Sequence, residues 1–347
     1  MKEPSDKPGA ARTARPLWVL GGLTLALLVA MLAGVALGAV RIPVPDVIAA
    51  LRRALMGQGG SFADTVIVGL RLPRVVLAAL VGASLAAAGA LYQALFRNPL
   101  ADPYILGISS GAGLGAMIAI VTTAGVTAAR YGVVPVAAFL GAGLTMLLVV
   151  RLASTRGKLD STSLLLGGVA VSYTLAAVTA FVMVYAREQM AAIVYWMMGG
   201  LTAASWGYVA LIAPMFILGI AWPLLATREL NIMLLGDERA GELGLNVERF
   251  KLGVLAAASL LTAAAVSVSG LIGFVGLMTP HIVRLILGPD HRLLLPASLL
   301  GGATLMVVAD LIARTVLAPT EIPVGIVTAI FGGPFFIWLL VRRGGVR

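Results

Sequence analysis

Gly107-Ile108-Ser109-Ser110-Gly111 matches G-x-S-x-G, a pattern that presents a serine nucleophile at a sharp strand-to-helix turn. That chemistry needs a histidine within hydrogen-bond reach of the serine, and the chain has only His281 and His291. It also needs a strand before the turn. Here Pro103 leads directly into an apolar, helix-like run, so the match is read as incidental in a Gly- and Ser-rich stretch. His281 and Arg284, in GLMTPHIVRLILGPDHR, lie near the end of an apolar window and are read as anchors that reach the membrane edge. Two separated histidines, no cysteine and no carboxylate cluster inside the apolar windows suggest neither a metal site nor a proton relay. Asp310 is the acidic residue well inside a window, and Arg314 one turn later would offset its cost as an i, i+4 pair. No G-x-x-x-x-G-K-[ST] occurs, so the chain does not cradle nucleotide phosphates by that route. Any ATP-driven step needs an ATPase on another subunit.

The elements that position these residues are membrane helices. Hydrophobic residues make up 60% of the 347, charged ones 12%, and mean hydropathy is +1.02, far from the roughly 45–50% apolar and 25% charged of soluble domains. A spanning helix needs about 20 apolar residues, and ten windows qualify as candidates: 17–40, 75–95, 104–123, 133–153, 162–185, 206–226, 250–269, 271–288, 297–318 and 324–341. The expected fold is all-α and polytopic, with a tail over residues 1–16 and one transmembrane domain over 17–347. The first window is too long for a signal-peptide core and is read as a retained helix. The net charge of +10 is scattered over short loops, not gathered into a nucleic-acid-binding stripe. With the N-terminus inside, 17 of the 25 Lys and Arg fall on the inner side and 8 on the outer, which places both termini in the cytoplasm.

Three further features stand out. Gly107, Gly111 and Gly115 recur every fourth residue, spacing that lets helix backbones approach closely. Asp46 to Met56 is amphipathic and is expected as a short surface helix, and Leu230 to Arg249 reads as two short helices joined by a turn, a protein-facing platform. Gly89, Pro99 and Leu106-Gly107 recur 181 residues later as Gly270, Pro280 and Leu287-Gly288. A strict repeat at that offset would run past the chain end, so only a degenerate inverted repeat with different loop lengths stays open.

Four segments carry a family resemblance: RLPRVVLAALVGASLAAAGALYQALFRNPLADPYILGISSGAG (71–113), LNIMLLGDERAGELGLNVER (230–249), GLIGFVGLMTPHIVRLILGPDHRLLLP (270–296) and ADLIARTVLAPTEIPVGIVTAIFGGPFFIWLL (309–340). In order and spacing they resemble the permease of type II ABC importers for iron-siderophore, haem and vitamin B12, over essentially the whole chain from residue 17. The resemblance implies a ten-helix permease of the inner membrane, working as a homodimer with two ATPase subunits and a periplasmic or lipid-anchored binding protein. The chain would not itself be an enzyme; ATP and Mg would be bound by the ATPase. The loop at about 228–249 would supply the coupling helices, with Gly236, Asp237, Glu238, Arg239, Ala240, Glu242, Leu243 and Gly244 at matching positions. Arg71, Arg74 and Arg314 match arginines that dock the binding protein, an arrangement in which a guanidinium fork meets a carboxylate; interfacial lipid anchoring is the other use of such arginines. Asn98 and Leu100 match one cytoplasmic gate, and Ser161 and Thr162 a second. The cargo is expected to be a ferric siderophore, cobalamin or haem. A self-sufficient secondary transporter is the competing class, and Asp310 is the residue it would rely on.

Overall fold

The structure, a computed structural model, describes residues 10–38, 40–58, 61–123, 127–155 and 158–344. Residues 1–9 of the expected tail and 345–347 at the end of the expected domain lie outside the described residues. The described chain is nearly all helix. In order come α1 (Ala10–Ala36), α2 (Val44–Leu55), α3 (Phe62–Asp64), a π-helical stretch (Thr65–Arg71) and α4 (Leu72–Leu95). Next are α5 (Ile108–Thr122), α6 (Thr127–Ala153), a two-residue antiparallel pair β1 (Ser154–Thr155) and β2 (Lys158–Leu159), and α7 (Ser161–Tyr185). The rest comprises α8 (Met190–Met197), α9 (Trp206–Leu225), α10 (Thr227–Met233), α11 (Asp237–Glu242), α12 (Val247–Ser269), α13 (Val275–Leu287), α14 (His291–Thr315) and α15 (Val324–Gly344).

Polar residues between the apolar runs fix where helices start. Asp160, Ser205, Asn246 and Asp290 each cap the helix that follows by accepting a backbone N–H in its first turn. Among the described residues, eight helices are long and apolar enough to cross a membrane, and the shorter apolar helices α5 and α13 complete the ten expected windows. The second window starts earlier than expected. The helical run begins at Phe62 and continues through Arg71 and Arg74, because those two charges are met by partners far away in sequence. The amphipathic segment is α2, whose Val47 and Ala50 are buried while Ile48 and Leu55 are exposed.

The bundle is built around α4 and α12. Of their most apolar windows 83% and 67% is buried, against 17% for α7 and 22% for α9. Alanine and glycine make this crowding possible. A Cβ on Gly89 would lie 1.7 Å from the Gly276 carbonyl oxygen, and one on Gly82 2.2 Å from that of Gly302, so α4 meets α13 and α14 backbone to backbone. Of the evenly spaced glycines, Gly111 and Gly115 press on α6 in the same way. Gly107 instead supplies the left-handed residue before α5.

The order long central helix, short helix, long helix, long helix occurs twice, as α4–α7 and as α12–α15; the Arg97 turn after α4 and Lys251 near the start of α12 share Asp237, so the two central helices run in opposite directions. The strict offset fails, since the non-helical connection before α5 spans residues 96–107 whereas that before α13 spans only 270–274. These two breaks meet inside the bundle. The Tyr104 hydroxyl donates to the Ile272 carbonyl and accepts the Ile272 N–H, both at 3.0 Å. Pro103 packs where a Cβ on Gly276 would sit. Irregular backbone at membrane depth needs such protein partners for its polar groups.

Candidate functional site

α1 starts and α15 ends on one face of the bundle, the termini face. Three predicted groups gather there. After Leu95 the chain turns at Arg97, a non-glycine residue with φ +48°. Asn98 accepts the Leu100 N–H on its side chain at 2.9 Å, and Asp102 does the same for Tyr104 at 2.7 Å. These two side-chain turns replace helical bonding around Pro99 and Pro103. Asn98 and Leu100 are exposed on the termini face, while Ala101, Pro103 and Leu106 are buried as the segment re-enters. Ser161 and Thr162 open α7, where the Asp160 carboxylate accepts the Ser163 N–H at 2.8 Å and its hydroxyl at 3.0 Å. That backbone bond holds the Asp160 carboxyl below the usual carboxylate range.

The expected platform is α10 and α11. Gly236 (φ +103°) turns the chain into α11 and Gly244 (φ +86°) turns it out. At the exit the Leu245 N–H bonds the Ala240 carbonyl and the Gly244 N–H that of Gly241, a Schellman motif requiring a left-handed residue. The predicted residues separate by direction. Glu238, Arg239, Glu242, Leu243 and Gly244 are exposed, with Leu235 beside them. Ala240 is fully buried. Asp237 points back toward the bundle, where Oδ1 lies 3.6 Å from Arg97 Nη2 and Oδ2 accepts Lys251 Nζ. Lys251 also donates to the Leu159 carbonyl at 3.2 Å, and Glu248 accepts the Leu159 N–H at 2.7 Å. The expected platform, the Asn98 turn and the start of α7 are thereby joined.

Arg71, Arg74 and Arg314 lie together at the opposite face, and each guanidinium is bonded within the chain. Arg71 donates to the Val35 carbonyl at 2.9 Å, the Ala36 carbonyl at 3.0 Å and the Val40 carbonyl, closing the C-terminal end of α1. Arg74 is bidentate to Asp310, at 3.0 and 2.9 Å, and reaches both Glu321 oxygens at 2.9 Å. Arg314 donates to the Gly34 carbonyl and lies 3.5 Å from Asp310. The expected i, i+4 pair therefore exists, but Arg74 from another helix holds Asp310 more closely.

The remaining candidates resolve simply. His291 bonds Asn231 of α10 through Nδ1 at 2.9 Å, and His281 packs its ring on Phe335 and Phe336. With α5 entered from a non-helical loop instead of a strand, no nucleophile elbow forms at Ser109. Arg284 donates to Gln93, tying α13 to α4 instead of reaching outward. Among the described residues no group of His, Cys, Asp and Glu could hold a metal ion. Sequence reasoning missed Arg97, Glu248, Lys251 and Asn231. A lysine just inside an apolar window, with Asp237 upstream, was the available signal for the buried ion pair.

The model of the FecCD transport family matches residues 26–342. The chain is 50% identical over 279 residues, 80% of its length and 74% of the other's, to the cobalamin import system permease protein BtuC of Halobacterium salinarum. It is 44% identical to the hemin transport system permease protein HmuU of Yersinia pestis, over 79% of this chain and 82% of that one. Among solved structures, a metal-chelate type ABC transporter in an inward-facing conformation aligns with TM-score 0.83 and 30% identity, covering 94% of this chain and 99% of its own. A family model covering nine-tenths of the chain, together with full-length agreement of the fold, shows that the chain belongs to the FecCD transport family.

Proposed function

We propose that the chain is the permease subunit of a binding-protein-dependent ABC importer that moves a metal chelate of the ferric siderophore, cobalamin or haem class into the cytoplasm. It works as a homodimer in the inner membrane, with the termini face in the cytoplasm. Two ATPase subunits bind ATP and Mg and dock on α10 and α11; a binding protein docks on the opposite face, which Arg71, Arg74 and Arg314 shape. The observation that carries this reading is the exposed surface of Leu235, Glu238, Arg239, Glu242 and Leu243 on a capped two-helix platform, bonded directly to the mouth that holds Asn98 and Leu100. Apolar side chains ringed by charges suit a protein groove better than lipid headgroups. ATP binding draws the ATPases together and shifts the permease between facing states through their differential contacts. Ser161 and Thr162 line the second constriction beside Asn98 and Leu100.

A secondary transporter needs an intramembrane acid free to change partners, and Asp310 is held by two arginines. Glu242→Arg tests the docking surface. Co-purification of the ATPase should drop at least tenfold while the variant's melting temperature stays at the wild-type value; undiminished co-purification overturns the assignment. Vesicles holding this chain alone should show no chelate uptake, and uptake without ATPase subunits would establish the secondary-transporter class.

A further inference from the structure

The Asp237 carboxylate stands between three separate pieces of the termini face. It is the first residue of α11, and its two oxygens face different partners. Oδ1 lies 3.6 Å from Arg97 Nη2, in the turn that carries Asn98 and Leu100. Oδ2 lies 2.5 Å from Lys251 Nζ, and that ammonium also donates to the Leu159 carbonyl at 3.2 Å. Leu159 immediately precedes Asp160, the cap of Ser161 and Thr162. Its N–H is taken by Glu248 Oε2 at 2.7 Å, so both backbone groups of Leu159 are held from α12.

The two arms are built differently. The Lys251 side chain is 3% exposed, so its charge depends on Asp237 and one carbonyl, and removing the carboxylate would leave a buried ammonium without its counter-ion. Arg97 is 43% exposed, and its backbone is already committed to a positive φ that places its side chain over Gly236. Around Asp237, the other charges within α11 are Glu238, Arg239 and Glu242, all directed outward. Asp237 alone among the acidic residues of α11 faces inward. A displacement of α11 thus reaches the Asn98 mouth through Arg97 and the α7 start through Lys251 and Leu159.

We propose that Asp237 is the positioning residue that ties the docking helix to both gate segments, with Arg97 and Lys251 as its separate arms. The inference rests on the importer reading above, and goes beyond it by assigning the linkage to one carboxylate and two named cations. It requires that the two arms be separable: without Arg97, motion of α11 reaches only Ser161 and Thr162; without Lys251, only Asn98 and Leu100.

The chain has no cysteine, so single spin labels can be placed at Leu100→Cys or Ser161→Cys in otherwise native permease. The complete complex, with ATPase subunits and binding protein in liposomes, is measured for the distance between the two labels of the dimer, with and without ATP. Hydrolysis rate is recorded in parallel. In the wild type both labels should shift on adding ATP. Asp237→Asn should reduce both shifts at least threefold. Arg97→Gln should suppress the shift at position 100 and leave that at 161; Lys251→Met, which removes the buried charge with its hydrogen bonds, should do the reverse. If Asp237→Asn does not assemble, the two arm variants decide the matter alone. Wild-type shifts at both labels in the Asp237→Asn or in both arm variants overturn the linkage. A wild-type complex whose labels ignore ATP overturns the importer reading itself.

Discussion

At the face opposite the termini, Asp310 is 2% exposed and is gripped by Arg74 and Arg314, while Arg71 closes the carbonyl end of α1. At the termini face, Arg97 and Asp237 are 43% and 40% exposed and stand 3.6 Å apart. The first cluster welds α1, α4 and α14 with several short bonds in surroundings from which water is largely excluded. There an unmatched charge is costly, so the partners stay together. The second joins the short α11 to the Arg97 turn and to α12 through single contacts; the one to Arg97 is open to water, where an ion pair is worth about 0–1 kcal/mol and separates readily. One end of the bundle is held by several buried charge contacts and the other by fewer, partly exposed ones. This division suits a permease driven from the termini face. Arg71, Arg74 and Arg314 are all bonded internally and hold α1, α4 and α14 together at the face opposite the termini.

The largest effect should come from breaking the buried cluster. Asp310→Ala leaves Arg74 with Glu321 alone and strips Arg314 of its carboxylate, which should lower stability by about 3–5 kcal/mol. Thermal unfolding in detergent reads this directly, and a loss no greater than that of Arg97→Gln, expected within about 1 kcal/mol, would erase the distinction between the two ends. Next in size is Arg71→Met. It keeps the apolar stem but takes the guanidinium from the carbonyls of Val35 and Val40 and leaves that of Ala36 with the Ile42 N–H alone, a cost of about 1–3 kcal/mol for stranded acceptors. Proteolysis near the C-terminal end of α1 should rise in that variant while cleavage at α11 stays at its wild-type rate. Equal increases at both sites would show that α1 is not held locally.

The apolar windows made the helices legible because lipid demands long uninterrupted runs, and the amphipathic α2 and the glycine-bounded α10–α11 platform were legible for equally local reasons. What the windows concealed was the start of the second helix. Arg71 and Arg74 read as a charged boundary, yet the helix passes through them, with Arg71 met by the carbonyls that end α1 and Arg74 by Asp310 and Glu321 from the far end of the chain. Asp237 was concealed similarly. In the sequence it stands beside Glu238, Arg239 and Glu242 among the matching coupling positions, and only the fold shows that Lys251 draws it inward. Side-chain direction on a six-residue helix depends on what packs behind it, and no periodicity records that. The repeat was not legible from the matched glycines and prolines: Gly89 lies within α4 but Gly270 ends α12, Pro99 precedes α5 but Pro280 lies inside α13, and Gly107 precedes α5 but Gly288 follows α13.

The smallest effect belongs to the termini face, at the cap of α7. Asp160 is exposed, and the Ser163 N–H and hydroxyl hold its carboxyl below the ordinary carboxylate range. A carboxyl whose pKa is lowered on folding contributes stability that is complete above its unfolded pKa, near 3.9 for an aspartate. The contribution fades as pH falls through that value to the folded pKa. Asp160→Asn keeps a good cap but cannot ionise. The difference in melting temperature between wild type and Asp160→Asn should therefore be small and constant from pH 7 to about pH 5. It should shrink toward zero below about pH 4. Other carboxylates titrate in both proteins and cancel from the difference. A difference that grows on acidification would mean that Asp160 is held protonated by its surroundings, and that the start of α7 is as firmly set as the Arg74 cluster.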